Sequence, residues 1–556
     1  MMRRGQSSVW GLIWDHHPPK YHKLSETTRH GSPVPLSATM KTHDHNIPPV
    51  GIDLGTTYSV VAHLDAQGHP ETLVNAEGER LTPSVVFFDE SEVIVGREAL
   101  KAFARLPERA AECSKRDVGY KVYHKVLQGK YYPPEVIEAY ILNKLRQDAS
   151  QQIGEFSQVV ITVPAYFDEV RRKATQDAGY MAGLEVMDII NEPVAAALAF
   201  AYEEGFLNDN VEVSQSQKIL VYDLGGGTFD VTVMEIRGHE YVTLAIDGDV
   251  RLGGWDWDQR LVDLAAEKII RVHGFDPRED VRAWGKLWSL CEEAKRTLSV
   301  RSKAVISFEY QGRTAEIEIQ REQFEEATQD LLDRTRFTTI QALKAAGVTW
   351  DEIDRVLLVG GSTRMPMVRR LLREMAKKEA ETSVSADEAV ALGAAIHAGW
   401  LLGKARGEPP RFRIRNVNSH SLGVVGVDPL TRRPRVGTII PRNTRLPIIA
   451  KRRFKTHRPN QRSILVQIVE GESPSPEDCC PIGQVSVRDL PLNLPKGWPV
   501  EVIFHYRSNG RLRVKIRVPQ MERDINAEFQ RERALTKELL DGWRRFISGK
   551  EPTDYE

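Results

Sequence analysis

The sequence predicts a two-lobed α/β domain built from two similar units, followed by an all-β domain and one terminal helix. From about Val50 to Leu402, short β-branched runs alternate with amphipathic helical stretches, which is typical of α/β layers. Over residues 416–529 the pattern changes to short strands separated by proline, glycine and asparagine. Over residues 530–548 a single helical pattern remains, and the tail runs to residue 556.

Composition narrows the classes of protein that this chain can be. Its 556 residues are enough for several domains, and 41% hydrophobic and 28% charged residues are ordinary for a soluble globular protein. A net charge of −1 argues against a chain-wide nucleic-acid binder. Four cysteines are too few for a disulfide framework, and no apolar run reaches the ~18–20 residues that a membrane span needs. We therefore expect a cytoplasmic protein.

Residues 1–48 form a distinct N-terminal extension. Six of the fifteen histidines fall within its first 45 residues, beside four prolines and without a periodic apolar pattern. The apolar stretch from Val9 to Trp14 is interrupted and is followed by Asp15, so we do not predict a signal peptide. A metal-binding tract is one interpretation. A disordered tail, or sequence upstream of a start at Met40, is the interpretation that we favour.

The α/β domain is expected over residues 49–402, and a polar linker over 403–415 joins it to the β-domain over 416–529. The clearest predicted helices are Pro134–Gln152, Asp168–Gly183, Pro193–Glu204, Trp257–Val272, Glu322–Ala345 and Met367–Lys378. Within this domain the segment Gly51–Tyr58 recurs as Val221–Asp230. Each copy is an apolar strand that ends in Asp, a glycine-threonine turn and a second strand, which indicates a duplicated unit.

These turns have the chemistry of a phosphate site. In a P-loop the glycine turn leads into a helix, whereas here both turns lead into a strand, so each is a hairpin. Backbone N–H groups of a glycine turn converge on anions, and the missing Cβ atoms let phosphate approach. An Asp at each strand end, Asp53 and Asp223, is suited to a hydrated divalent cation. Two such facing turns predict a phosphate and Mg²⁺ site.

A third glycine element runs from Val356 to Pro366 as a buried strand, a Gly-Gly turn and a helix. Paired glycines allow a flat base to lie on bare backbone, and an arginine can stack on it. On the helix around Cys291, four polar residues at i, i+3, i+4 and i+7 share one face. For that helix alone, a salt-bridged surface is the alternative.

Together these elements resemble the nucleotide-binding domain of the 70-kilodalton heat-shock chaperone (DnaK-like) family, in the correct order from about Pro49 to Leu402. Further matching segments are Val163–Phe167, Asn191–Ala196, Leu252–Gly254, Cys291–Ser299, Gly360–Pro366 and Asp387–Val390. The resemblance implies a two-lobed actin-like ATPase domain of duplicated ribonuclease-H-like units. It also implies ATP and ADP as ligands, with Mg²⁺ and, as a further candidate, K⁺.

The resemblance carries roles over to matching positions. The metal would be lined by Asp53, Asp223 and Asp230. Phosphates would be held by Gly55, Thr56, Thr57, Tyr58, Gly225, Gly226, Gly227 and Thr228. Adenosine would be held by Glu292, Lys295, Arg296, Ser299, Gly360, Gly361, Ser362, Arg364 and Asp387. The catalytic set would be Asp53, Glu192, Asp223 and Thr228, and Pro164, Arg172 and Glu192 would relay nucleotide state to the second domain.

One position departs from the family at the catalytic centre. The family has a lysine four residues after a Val-Gly pair; counted from Val95-Gly96, that position is Leu100, and Lys101 follows. A slip of one residue turns a side chain by roughly 100–180°. Either the local backbone shifts so that Lys101 serves, or one catalytic group is absent and the ATPase is impaired.

The resemblance continues more weakly into the β-domain. By similarity Val424, Phe454, Ile464 and Val466 would line a pocket for one apolar peptide side chain, while the backbone of an extended peptide supplies further contacts. The alternative is that these four are ordinary inward-facing sandwich residues. The residues that bridge over a bound peptide in the family would here be Val427 and His457.

Three further features depart from the family. The linker ends in the basic run Phe412–Asn416, without the family's acid, and one helix stands where the family has a long helical lid. From Lys404 to Arg462 there are sixteen Lys and Arg residues against two acids, Glu408 and Asp428, a net charge of +14. Such a density should bias the choice of partner, although part of it is expected to be solvated surface.

The resemblance implies an ATP-dependent chaperone that binds extended apolar segments of unfolded polypeptides under nucleotide control. A J-domain co-chaperone and a nucleotide exchange factor are the implied protein partners, and we expect neither membrane nor nucleic-acid binding. Without a full lid, peptide exchange should be fast. The alternative, favoured by Leu100 and the altered linker, is a nucleotide-sensing interaction module with little or no turnover that docks a dedicated partner. A sugar kinase would need a carbohydrate-site Asp between the lobes, and no residue matches one.

Overall fold

The computed structural model describes residues 12–14, 19–23, 48–207, 216–409, 411–488, 490–507, 512–518, 525–527 and 535–549. They fall into two compact units. The α/β unit comprises residues 47–167, 171–414 and 535–556, and the β unit comprises residues 1–46, 168–170 and 415–534. Cys113, Cys291 and Cys479 are free thiols, and no helix in the described ranges is long and apolar enough to cross a membrane.

The first lobe of the α/β unit is a six-stranded sheet. In spatial order its strands are Glu185–Asn191, Gln158–Val163, Val50–Asp53, Tyr58–Leu64 and Pro70–Thr72, with Thr82–Pro83 paired to Tyr58–Leu64. Val50–Asp53 is antiparallel to the strand that follows it and parallel to Gln158–Val163. The hairpin predicted around Asp53 is therefore confirmed, and it lies in the middle of the sheet.

The second lobe repeats this arrangement in a five-stranded sheet. In spatial order its strands are Arg355–Val359, Gln217–Leu224, Phe229–Arg237, Glu240–Asp249 and Arg413–Arg415. Gln217–Leu224 is again antiparallel to its successor and parallel to a later strand, Arg355–Val359. In both lobes a central strand with Asp at or next to its end pairs antiparallel with the following strand and parallel with a later one. This shared arrangement confirms the predicted duplication.

Helices cover these sheets, and two of them pack closely against each other. The helices of this unit are Arg97–Phe103, Pro134–Ile153, Glu169–Met181, Glu192–Glu203, Gly254–His273, Val281–Val300, Arg321–Ala327, Gln329–Ala346, Pro366–Ala376, Ala389–Ala405 and Lys537–Ile547. Small sheets are formed by Val86–Phe88, Val93–Val95 and Ala110–Ala111, and by Lys303–Tyr310 and Arg313–Gln320. A Cβ on Gly393 would lie 1.8 Å from the carbonyl oxygen of Ala195, so only glycine permits this approach of Ala389–Ala405 to Glu192–Glu203.

One predicted helix is divided. The pattern Glu322–Ala345 predicts a single helix, but the structure has two, which meet at Thr328. Thr328 is buried, its backbone leaves the helical region, and its hydroxyl donates to the carbonyl of Phe324 at 2.8 Å. A threonine hydroxyl that bonds to the preceding turn weakens helical geometry, and at Thr328 such a bond coincides with the break.

The end of the linker and the C-terminal helix both belong to the α/β unit. Phe412 is buried against Trp400 and Tyr241, with ring centroids 5.6 and 5.9 Å away, and the Arg413 N–H donates to the carbonyl of His239. The helix Lys537–Ile547 buries Leu540 and Ile547 in the core of the first lobe. The linker thus ends as an edge strand of a sheet.

The β unit is one ten-stranded sheet. Its strands are Leu12–Trp14, Lys20–Lys23, Leu422–Val427, Pro434–Ile440, Ile448–Thr456, Ile464–Glu470, Cys480–Val487, Pro499–Tyr506, Leu512–Arg517 and Ile525–Ala527. The predicted all-β texture is confirmed. Two strands come from residues 1–48, so the expectation of a disordered extension does not hold for these two stretches. The other residues of that extension lie outside the described ranges, apart from residues 19 and 48.

Candidate functional site

A cavity of about 1010 Å³ lies within the α/β unit, and residues of both lobes line it. The predicted site residues in its wall are Asp53, Gly55, Thr56, Thr57, Tyr58, Glu192, Asp223, Gly225, Gly226, Thr228, Glu292, Lys295, Arg296, Ser299, Gly360, Gly361, Ser362, Arg364 and Asp387. These residues are scattered over more than three hundred positions of the sequence, and the fold brings them to one place.

Four predicted residues lie outside this wall. Gly227 packs behind it, since its Cβ would lie 2.5 Å from Thr56 Cγ2. Asp230 is buried opposite Asp223 on the neighbouring strand. Pro164 follows the strand Gln158–Val163, and Arg172 donates to Asn191 Oδ1 at 2.6 Å and to two backbone carbonyls.

The two glycine turns touch each other. A Cβ on Gly226 would lie 1.9 Å from Thr57 Oγ1, closer than any real Cβ contact. Gly360, with φ of +83°, would place a Cβ 2.4 Å from the carbonyl oxygen of Leu224, beside the second turn. The three glycine elements therefore approach one another closely, and residues of each line the same cavity, where bare glycine backbone leaves room for a ligand. That arrangement suits an anion.

Carboxylates are buried in the cavity wall, at Asp53 and Asp223, and beside it, at Asp230. Burial, followed by the charge of Glu192, raises the pKa of Asp53 to about 7 and that of Asp230 to about 8. Burial likewise raises the pKa of Asp223 well above its usual value. Thr162 donates to Asp53 at 2.8 Å, and the Tyr166 N–H donates to Asp230 at 2.9 Å. Burial is the larger cause in each case, so the hydrogen bonds and the nearby cation do not fully replace the solvation that these carboxylates lose.

These carboxylates fit a hydrated divalent cation. Among the described residues, no three His, Cys, Asp or Glu side chains are placed to hold a metal ion by themselves. Mg²⁺ usually keeps several water ligands and takes only one or two carboxylates, so a direct protein cage is not required. The raised pKa values mark where added positive charge would be stabilised.

The opposite wall combines flat backbone with charged side chains. The nearest atom to a Cβ built on Gly361 is Asp387 Oδ1 at 3.4 Å, so this glycine faces open space. Arg364 pairs with Asp387, and Lys295 donates to Asp258 at 2.6 Å. The Arg296 guanidinium lies 5.3 Å from the ring centre of Tyr58. This wall has the open backbone and stacking groups expected of a site for a base and ribose.

A lysine that the sequence patterns did not single out lines the cavity beside Glu192. Lys115 lines the cavity, its side chain is only 5% exposed, and its ammonium group donates to Glu192 at 2.7 Å. Burial opposes its charge, but Glu192 and Asp53 outweigh that effect and raise the pKa of Lys115 above its usual value. In the sequence, Lys115 lies in a polar stretch that resembles surface, and 77 residues separate it from Glu192.

Leu100 and Lys101, the two candidates for the position of the family's catalytic lysine, lie in different surroundings. Leu100 lines the cavity and packs against the core of the second lobe. The side chain of Lys101 is 64% exposed and pairs with Glu98 on the same helix. Lys101 is not part of the cavity wall. A backbone shift that brings Lys101 to the cavity is not present in this structure.

The predicted peptide pocket lies in the core of the β unit. Val424, Phe454, Ile464 and Val466 are all fully buried in one hydrophobic cluster. Leu12, from the N-terminal extension, belongs to the same cluster. Burial alone fits both interpretations of these residues, a pocket and an ordinary sandwich core.

Proteins of one known family are similar to this chain over most of its length. The family model described as Hsp70 protein matches residues 49–541. A chaperone protein DnaK from Thermotoga neapolitana is 40% identical over 477 residues, covering 84% of this chain and 77% of the relative. One from Thermus thermophilus is 40% identical over 522 residues, covering 88% and 82%, and one from Metamycoplasma hominis is 38% identical over 500 residues, covering 88% and 81%. This chain belongs to the Hsp70 family of ATP-binding chaperones.

Proposed function

We propose that this chain is an ATP-driven chaperone in which the nucleotide bound in the α/β unit controls the affinity of the β unit for extended apolar peptides. The observation that carries the proposal is the single cavity in which three glycine elements, buried carboxylates and a buried lysine meet. A J-domain co-chaperone and a nucleotide exchange factor are the protein partners that membership of the family suggests.

In this proposal the facing turns hold the phosphates, and the Gly360-Gly361 wall holds adenosine. Asp53 and Asp223 would hold hydrated Mg²⁺, and the neighbouring Asp230 would add negative charge. When bound, Mg²⁺ supplies positive charge that neutralises phosphate oxygens. Glu192 and Thr228 then orient the attacking water, and the support for this assignment is their position in the cavity wall.

We further propose that Lys115 takes the place of the family lysine that is missing at Leu100. Both side chains line the same cavity, so a lysine from either segment can reach it. The pairing with Glu192 keeps the ammonium group charged although it is buried. A fixed cation next to the phosphates stabilises the charge that develops during their transfer. The chain would then be a working ATPase, which weakens the main argument for a nucleotide-sensing module.

Peptides with acidic flanks should bind the β unit better than the same apolar cores with lysine flanks. The strand Ile448–Thr456 carries Lys451, Arg452, Arg453 and Lys455. Arg453 pairs with Glu501 at 2.9 Å, but the strand keeps a net positive charge, and an acidic flank gains attraction beside it. Each exposed contact is worth only about 0.2–1 kcal/mol, but several together reverse a preference. The measurement is a binding series with a fixed core and varied flanks at low salt and at ~0.15 M, where the screening length is about 8 Å.

Several outcomes of this binding series would contradict the prediction. Equal affinities at low salt, or a preference for lysine flanks, would mean that these charges point away from the bound peptide. An advantage of acidic flanks that does not shrink with added salt would also contradict the electrostatic explanation.

The proposed function as a whole is tested by ATP turnover with and without an unfolded polypeptide. Stimulation supports the chaperone. ATP binding without turnover supports the alternative, an interaction module that senses nucleotide and docks one partner.

A further inference from the structure

We propose that the strand Leu12–Trp14 is a built-in ligand of the peptide groove, which an incoming peptide must displace. This inference rests on the proposed function, because it takes the β unit to be a peptide-binding domain.

The backbone of this strand lies where an extended peptide would add to the sheet. Leu12–Trp14 pairs antiparallel with Thr456–Phe454, and Ile13 pairs in parallel with Val427. It therefore fills a position between Leu422–Val427 and Ile448–Thr456 in the order of the sheet. Strand addition of this kind is a common way in which proteins hold extended peptides.

The side chains of Leu12 and Ile13 also fit a peptide bound in this groove. Leu12 is 1% exposed and belongs to the hydrophobic cluster that contains Val424 and Phe454, two of the four predicted pocket residues. Leu12 lies opposite Thr456, which is fully buried, whereas Ile13 lies opposite Lys455 and is partly exposed. Since strand side chains alternate between faces, Leu12 supplies the apolar side chain that the pocket was predicted to receive.

A second strand fastens the segment. Lys20–Lys23 pairs antiparallel with Ile448–Lys451, further along the same partner strand. The segment is thus held at two places by one strand. Because it is covalently attached, it competes with free peptides at a high effective concentration.

Next to Leu12–Trp14 the sequence agrees with the positive charge of the partner strand, although Lys20 lies opposite Lys451 in the second pairing. Leu12-Ile13-Trp14 is an apolar core, and Asp15 follows it in the sequence. This is the kind of peptide that the basic strand Ile448–Thr456 should prefer. The segment therefore lowers the apparent affinity for other peptides by the fraction of time that it occupies the groove.

The test compares the full-length chain with its Leu12→Asp and Ile13→Asp variants. Leu12→Asp places a charge in the buried cluster and should release the strand, while Ile13→Asp introduces the same charge on the partly exposed face. Hydrogen exchange of the amides in Ile448–Thr456 should become faster in Leu12→Asp and change little in Ile13→Asp. Equal exchange in a folded Leu12→Asp chain and the original chain would overturn the inference.

Peptide binding is measured on the same three proteins with a fluorescent apolar peptide that carries an acidic flank. Loss of a tethered competitor should raise the affinity about tenfold or more in Leu12→Asp and little in Ile13→Asp. Unchanged affinity, despite faster exchange, would overturn the claim that the strand competes with peptides. Suppose that exchange is faster in Leu12→Asp but none of the three proteins binds peptide. That result would support the contact of the strand with the β unit and would contradict the proposed chaperone function.

Discussion

Gly361→Trp should abolish Mg·ATP binding. A Cβ built on Gly361 faces open space in the cavity, so an indole attached there extends into the region assigned to adenosine. Because this position is at the wall rather than in the core, the variant should fold. Binding is measured by titration with a fluorescent ATP analogue, and the melting temperature of the nucleotide-free protein serves as the check of folding.

Gly361→Ala is the matched control. Its Cβ would meet Asp387 Oδ1 at 3.4 Å, which requires at most a small adjustment. We expect ATP affinity close to that of the original chain. An unchanged ATP affinity in a folded Gly361→Trp protein would remove the assignment of this wall to adenosine.

Lys115→Met should lower ATP turnover by ~10²–10³, the usual loss when one electrostatic group is removed from a reaction centre. ATP affinity should fall far less, because the remaining contacts to base, ribose and phosphates are unaffected. Single-turnover hydrolysis and nucleotide titration separate the two effects. The variant also leaves Glu192 without its cation, so the melting temperature must be measured in parallel.

Two further variants distinguish the role of Lys115 from general damage. Lys101→Ala should leave turnover unchanged, since this lysine is exposed and pairs with Glu98. Leu100→Lys in the Lys115→Met background should restore part of the turnover by supplying a cation from the family position. A large loss in Lys101→Ala, or full turnover in a folded Lys115→Met protein, would show that the catalytic lysine has been assigned wrongly.

The nucleotide site could be predicted because its signals are local. Each glycine turn directly follows the Asp of its own strand, as at Asp53 and Asp223, and the two copies repeat each other. Local spacing determines which backbone groups converge and which side chains share a helix face. The repeat of the strand and turn also predicted two similar lobes.

Features that depend on contacts distant in the sequence could not be predicted in this way. Lys115 meets Glu192 across 77 residues, and a lysine in a polar stretch carries no sign that it is buried. Leu12–Trp14 is too short to show a strand period, and its partner residues lie more than four hundred positions away. The break at Thr328 lies within a continuous helical pattern, so the pattern does not reveal it.

The most direct test of the account is steady-state ATP hydrolysis by the full-length chain, with and without a reduced, carboxymethylated protein that cannot fold. The Lys115→Met variant provides the blank, and the Leu12→Asp variant provides a chain with its groove opened. We predict that the unfolded protein accelerates hydrolysis, and that this acceleration is larger in Leu12→Asp. The contrary result is hydrolysis above the blank that does not change when the unfolded protein is added, in both the original chain and Leu12→Asp. That result would contradict the coupling of ATP turnover to peptide binding.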